Sequence, residues 1–247
     1  MKVVFHEQFY DVYVSDPAAE AGRLEAIVSA IEDKAVFVSP EEAELSDILR
    51  AHGPGHVEEV RKFGLYPIAA LAAGAAVRTA EIALSEPSFG LIRPPGHHAS
   101  PDSCWGFCYF NNMAIALLSL HHRKKIASAF VLDFDMHFGD GTVNILENHP
   151  FVSVYNPDCR FRERYMKEVR ERLGRVAVDM IGISAGFDNH VDDWGGVLRT
   201  EDYFDMGDMV KQAARRSGGH YFALLEGGYN HKVIGKNARA LIEGMAL

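Results

Sequence analysis

The chain has 247 residues, 48% hydrophobic and 24% charged, which leaves room for one large core and excludes disordered and fibrous classes. Asp and Glu outnumber Lys and Arg by 34 to 25, a formal charge of -9 that argues against a nucleic-acid binder and suits cationic ligands. Three cysteines, Cys104, Cys108 and Cys159, make no disulfide framework, and Met1-Lys2-Val3-Val4-Phe5-His6 lacks a signal-peptide layout, so a cytoplasmic protein is expected.

Short apolar runs alternate with longer amphipathic ones, the pattern of a mostly parallel sheet flanked by helices. In chain order, strands are expected at residues 2–5, 36–38, 89–92, 129–133, 152–155, 179–184 and 221–225. Helices are expected over residues 18–31, 56–63, 67–84, 112–121, 141–148, 161–173, 200–216 and 233–245. Asp16-Pro17 precedes the first helix, Ser39-Pro40-Glu41-Glu42 reads as the start of a further short one, and Thr200-Glu201-Asp202 caps another. The apolar stretch 65–84 is Ala-rich and carries Arg78 and Glu81, so it reads as a buried helix rather than a membrane span. His121-His122-Arg123-Lys124-Lys125 reads as a solvated helix end with its cations on the C-terminal dipole. No repeat, low-complexity tract or linker interrupts the pattern, and residues 1–247 are read as a single domain.

Four groups of reactive residues each follow an expected strand. They are Arg93-Pro94-Pro95-Gly96-His97-His98, Asp133-Phe134-Asp135-Met136-His137, Ala185-Gly186-Phe187-Asp188 and Glu226-Gly227-Gly228-Tyr229-Asn230. The carboxyl ends of parallel strands form the ligand crevice of open α/β sheets, so these segments are expected to meet at one edge. In an extended chain Asp133, Asp135 and His137 share a face, and burying three ionisable groups calls for a compensating cation. Asp135, His137 and Asp188 make a three-ligand set with positions left for water and a substrate oxygen, which marks an open, catalytic site. A core histidine or a capping aspartate is the alternative for any one of them alone.

His97 and His98 follow a Pro-Pro-Gly turn that aims them into the crevice, where a neutral imidazole can act as general base. Asp133 and Asp140 are the carboxylates free to orient such a ring. Tyr229 follows two glycines, Gly227 and Gly228, and its hydroxyl can donate to an oxyanion; a buried structural tyrosine is the alternative. The spacing of Cys104 and Cys108 admits a redox or zinc pair, although free cysteines are commonly small buried hydrophobes.

These runs, taken with Gly106-Phe107-Cys108-Tyr109-Phe110-Asn111-Asn112 and Phe138-Gly139-Asp140-Gly141, resemble in order the motifs of the histone deacetylase family, which includes acetylpolyamine amidohydrolases. The resemblance spans about residues 90–230. It implies an arginase/deacetylase-type fold, three-layer α/β/α around a roughly eight-stranded, mostly parallel sheet. It implies zinc, or ferrous iron, on Asp135, His137 and Asp188, a donor set that suits cobalt as well, with His98 as general base, His97 as its electrostatic partner and Asp140 orienting His98. Asp133 would stand behind His97 and help bind potassium. Phe107, with Gly106, Gly227 and Gly228, would line the channel for the acylated amine, and Tyr229 would polarise the acetyl carbonyl. The expected activity is hydrolysis of N-acetylated amines, such as acetyl-lysine or acetylpolyamines. The alternatives are a non-catalytic acyl-amine or metal-binding module and a hydrolase of another C–N bond.

Two departures from the family pattern stand out. Only residues 156–176 connect the strand at 152–155 to the next, so part of one pocket wall is expected to be missing, with entry wider or completed by a second subunit. Upstream, Asp16-Pro17-Ala18-Ala19-Glu20 replaces a His-Pro loop, while Arg23 resembles the family's arginine near an internal cavity. Trp105 and Trp194 are candidate rim residues, with a structural role as the alternative.

Overall fold

The computed structural model describes residues 1–246 and arranges seven strands in one sheet. They are β1 (Lys2–Val4), β2 (Val36–Val38), β3 (Ser88–Gly90), β4 (Ala129–Asp133), β5 (Val152–Tyr155), β6 (Met180–Ala185) and β7 (His220–Leu225). Neighbours run in the order β2-β1-β3-β7-β6-β4-β5, and every pair is parallel. All seven expected strands form, with ends shifted by at most two residues. The described residues thus supply seven of the roughly eight that the resemblance implies.

The helices are α1 (Arg23–Ile31), α2 (Leu45–Ile48), α3 (Pro54–Lys62), α4 (Tyr66–Ala83), α5 (Asn112–His122), α6 (Asp140–Leu146), α7 (Arg162–Leu173), α8 (Thr200–Ser217) and α9 (Ile234–Ala246). On one side α4 packs on β1, β3 and β7, with α5 against it; on the other α8 packs on β6 and β7, with α7 and α9 on α8 and α1 on α9. Strands covered on both faces need apolar side chains throughout, and β4 and β6 are buried at every position. The Ala-rich run of α4 serves close packing: a Cβ on Gly74 would stand 2.0 Å from the Glu41 carbonyl oxygen. Among the described residues no helix is long and apolar enough to cross a membrane.

Two helix expectations are corrected. The run 18–31 is broken: Asp16 caps a single 3₁₀ turn at Pro17–Ala19, and Gly22, at φ +89°, restarts the chain so that α1 begins at Arg23. The segment 39–44 is not helical, because it lies against α4 at Gly74 with the Ala43 N–H donating to the Ala70 carbonyl at 2.9 Å. Tertiary packing there outweighs a local Ser-Pro-Glu-Glu start signal. At 200–202 the Asp202 side chain accepts from the Arg199 N–H at 2.8 Å, so the cap lies one residue earlier than Thr200.

The strand order settles the placement of the reactive groups. β3, β7, β6 and β4 are consecutive neighbours in the sheet, and each leads at its carboxyl end into one of the four clusters. Residues scattered from 93 to 230 therefore converge on one edge.

Candidate functional site

β4 stops at Asp133, so Asp135 and His137 stand on a turn rather than on a strand face. Aspartate side chains shape that turn: Asp133 Oδ1 accepts the Asp135 N–H at 3.2 Å, and Asp135 Oδ1 accepts the His137 N–H at 2.9 Å. From the loop after β6, Asp188 Oδ1 accepts the Met136 N–H at 3.0 Å. Ligand atoms of Asp135, His137 and Asp188 then lie within 4.8 Å of one another. His137 Nδ1 is 3.1 Å from Asp135 Oδ1 and 3.1 Å from Asp188 Oδ2. Space for the carboxylates is made by missing side chains: a Cβ on Gly186 or Gly227 would come within 2.1 or 2.5 Å of Asp135 Oδ2.

This group fits a divalent cation. Asp188 Oδ2 is buried without a hydrogen-bond partner, which is costly unless a positive charge faces it. Burial, and then the charge of Asp135, pushes the Asp188 carboxyl well up. His137 is raised to about 10 by the Asp135 and Asp188 carboxylates beside its ring, so the cluster draws positive charge to its centre. Two carboxylates and one imidazole suit zinc, iron or cobalt alike.

Next to it stand two histidine–carboxylate pairs of unlike character. His97 Nδ1 is 3.1 Å from Asp133 Oδ2, and both residues are buried. Burial works against a charge on His97, but Asp135 and Asp133 outweigh it and hold its pKa well above the usual range. His98 Nδ1 is 2.7 Å from Asp140 Oδ1 at the open end of α6. Burial, reinforced by His97, lowers His98 to about 4 despite Asp140. One ring is held charged and its neighbour neutral, with centroids 4.0 Å apart. The turn that carries them is fixed by Glu226, whose Oε2 accepts the Gly96 and His97 N–H groups at 2.7 and 3.2 Å.

Tyr229 closes the other side. Burial and the nearby Asp135 push its pKa far above the ordinary value, so the hydroxyl stays protonated. Its ring meets Phe107 edge-on at 6.0 Å and stacks on Trp194 at 4.0 Å. Gly106 and Phe107 both adopt left-handed backbone, φ +57° and +67°, a costly conformation for phenylalanine, and a Cβ on Gly106 would reach 2.4 Å from His98 Cδ2. Arg23 is fully buried and holds the Tyr229 loop by its carbonyls, donating from Nε to Gly228 O at 2.7 Å and from Nη2 to Glu226 O.

Every sequence-selected residue thus lies at this edge, although Gly227 backs the Asp135 and Asp188 carboxylates, its N–H donating to Asp135 Oδ2 at 2.8 Å. Cys104 and Cys108 are free thiols, one exposed and one buried, and form no disulfide. Sequence reasoning assigned no role to Glu226, a carboxylate at a strand end that its position could have flagged. It also passed over Asp193, whose Oδ2 accepts the Tyr229 and Asn230 N–H groups, both at 2.8 Å. Beyond His137 an open cavity is lined by Met136, Cys159, Arg160, Tyr165 and Trp194, beside the short connection that contains only α7.

The sequence model of the histone deacetylase domain matches residues 62–161 and 155–245. The chain belongs to the histone deacetylase family. This member is matched in two pieces that meet at 155–161, where the connection after β5 is short. It is 32% identical to a probable deacetylase of Methanothermobacter thermautotrophicus, over 98% of this chain and 90% of that one. A probable deacetylase of Archaeoglobus fulgidus is 30% identical over 92% and 81%. A histone deacetylase-like amidohydrolase of Pseudomonas aeruginosa is 27% identical over 81% and 68%. The crystal structure of the HDA15 HD domain superposes with a TM-score of 0.85 at 23% identity, covering 99% of this chain and 88% of that one, which establishes the shared fold.

Proposed function

We propose that residues 1–247 form one catalytic domain, a metal-dependent hydrolase that removes acetyl or other acyl groups from N-acetylated amines, with acetyl-lysine and acetylpolyamines as the substrate classes. The observation that carries this reading is the pair of histidine–carboxylate dyads, His97–Asp133 and His98–Asp140, facing the Asp135, His137 and Asp188 cluster. Zinc, with ferrous iron or cobalt as alternatives, would polarise the amide carbonyl and acidify the attacking water when held by those three residues.

The chain's own groups supply the rest. Neutral His98, its Nδ1 tied to Asp140, takes the proton of the attacking water at Nε2. Tyr229 donates to the oxygen that becomes anionic, and charged His97 beside Asp133 adds positive potential to the same region. A protonated histidine then passes its proton to the departing amine, and carboxylate and free amine leave. Phe107 and Gly106 bound the channel for the amine's stem. For the potassium expected near Asp133, support comes from Ser184, paired with Asp133 across β4 and β6, whose Oγ is buried without a partner.

The -9 charge supports an acylated amine, rather than nucleic acid or membrane, as the partner, and three free cysteines support a cytoplasmic site of action. Homo-oligomerisation across the open side near 156–161 is checked by light scattering. The deciding experiment is to chelate the protein, restore zinc, cobalt or ferrous iron, and assay an acetyl-lysine peptide beside an acetylpolyamine. Metal-dependent release of free amine is expected. No turnover on any acylated amine, or full rate in His98→Ala or Tyr229→Phe, would sink the reading.

A further inference from the structure

The two dyads are held in different ways. His97–Asp133 is enclosed, and the second oxygen of Asp133 is taken by the Asp135 backbone N–H. His98–Asp140 opens to solvent, with the Asp140 side chain 36% exposed. A carboxylate at the first position of a short helix, about a third of it in water, has little to stop it rotating away from its imidazole. Here the second oxygen is taken by an indole: Trp105 Nε1–H donates to Asp140 Oδ2 at 2.8 Å.

The same indole lies over His98, with ring centroids 3.8 Å apart and planes 30° off parallel. His97 packs against His98 at 4.0 Å, and Gly106 presses on its edge, so the segment from Trp105 to Phe107 wraps the imidazole. That wrap is closed by the Cys108 N–H donating to the Trp105 carbonyl at 3.0 Å. Trp105 is itself 54% exposed. A large aromatic left half in water, yet making one directed hydrogen bond and one stack to the two members of a single dyad, is placed for that dyad rather than for the core.

We propose that Trp105 is a positioning residue for the His98–Asp140 pair: its stack fixes the plane of the imidazole and its Nε1–H fixes the carboxylate, so that His98 presents Nε2 to the attacking water. The proposal rests on the acylated-amine reading of the site for its kinetic consequence, and not for the geometry itself. Without the indole the imidazole turns about its side-chain torsions and the carboxylate turns to water, and the correctly oriented fraction of His98 falls.

The test compares Trp105→Phe, which keeps an aromatic face but no N–H, with Trp105→Ala, which keeps neither. On the metal-loaded enzyme with the better of the two acetylated substrates, Trp105→Ala is expected to lower kcat about 100-fold and Trp105→Phe about 10-fold, with KM within about threefold for both. Independently of turnover, ¹⁵N-histidine NMR of the chelated protein, with His98 assigned from a His98→Asn variant, is expected to show a slowly exchanging Nδ1–H at His98. That signal weakens in Trp105→Phe and is lost in Trp105→Ala. A rise in KM alone would make Trp105 a rim residue that touches substrate, and an unchanged His98 signal in both variants would equally overturn the proposal. Should Trp105→Ala not fold, Trp105→Phe and its His98 signal decide alone. Wild-type protein inactive on every acylated amine would remove the proposed function, while the NMR arm would still judge the placement of Trp105.

Discussion

The indole of Trp194 lies on the phenol ring of Tyr229, with centroids 4.0 Å apart and planes 27° off parallel. Its neighbour Asp193 grips the same residue from behind, accepting the Tyr229 and Asn230 N–H groups, and Asn230 Nδ2 donates to the Asp192 carbonyl at 2.5 Å. The loop after β6 therefore clamps the loop after β7. Gly228, at φ +110°, precedes Tyr229 with its carbonyl held by Arg23, so the direction of the hydroxyl is set from one side by Arg23 and from the other by this clamp. Trp194→Ala is expected to lower kcat about tenfold with little change in KM, because Tyr229, the proposed oxyanion donor, is misplaced rather than a binding contact removed. Trp194→Phe should recover most of the rate. Steady-state kinetics on the acylated amine checks both, and a pure KM effect would contradict the clamp.

Asp135 and Asp188 carry buried carboxylates at one small site, and Asp188 Oδ2 has no hydrogen-bond partner. A raised carboxyl pKa favours folding at low pH and costs stability as pH rises through the folded value. Asp188→Asn removes that cost and keeps an oxygen for the Met136 N–H. Under chelation at pH 8, the Asn variant is expected to be about 1–3 kcal/mol more stable than wild type. Added zinc should raise the melting temperature of wild type and leave the variant unchanged. Thermal melts with and without metal read out both halves, and equal metal stabilisation of the two proteins would remove Asp188 from the ligand set.

Much of this architecture was legible from apolar runs bounded by Gly, Pro and Asp. Burial on both faces makes β4 and β6 continuous in hydrophobicity, and the reactive clusters are the polar residues where those runs stop. The legible part ends where two loops meet. Nothing in local periodicity pairs Trp105 with Asp140, or Asp193 with Tyr229, across about 35 intervening positions. Neither does it announce that Gly22 interrupts a helix so that Arg23 can reach the Glu226 and Gly228 carbonyls. Likewise the Ser39 to Glu42 signal is locally sound and fails only because Gly74 of α4 admits that backbone at close range.

His52 makes acid sensitivity testable away from the Asp135, His137 and Asp188 group. Its Nδ1 lies 2.9 Å from the Ser100 carbonyl and its Nε2 accepts the Asn111 N–H at 2.8 Å, an arrangement only a neutral ring satisfies. Burial, and then His56, lowers it to about 3. Because the folded value lies below the unfolded one, its contribution is complete above about pH 6.5 and is lost as pH falls toward 3. Between pH 7.5 and 4.5 this residue is expected to remove about 2–3 kcal/mol of stability. Urea melts should show a shallower pH slope in His52→Gln than in wild type, with lower stability at pH 7.5. Parallel slopes would mean that His52 does not titrate on unfolding. Since Ser100 and Asn111 flank the Trp105 and Phe107 segment, acid should loosen that segment early.

The adjacent glycines 227 and 228 should respond differently to the same substitution. At Gly227 a Cβ would come within 2.5 Å of Asp135 Oδ2 and 2.8 Å of Asp188 Oδ2, so Gly227→Ala must push the two carboxylates of the proposed metal site apart. The expected result is at least a tenfold loss of zinc affinity, with modest change in the stability of the chelated protein. Gly228, at φ +110°, has a conformation that L side chains rarely adopt, and a Cβ there would press on Phe187 Cβ at 2.9 Å. Gly228→Ala is therefore expected to cost about 1–3 kcal/mol of stability and, by displacing Tyr229, to lower kcat while zinc affinity stays near wild type. Zinc titration calorimetry beside urea melts separates the two outcomes. A loss of zinc affinity in Gly228→Ala with none in Gly227→Ala would reverse the assignment of these neighbours to ligand shell and tyrosine loop.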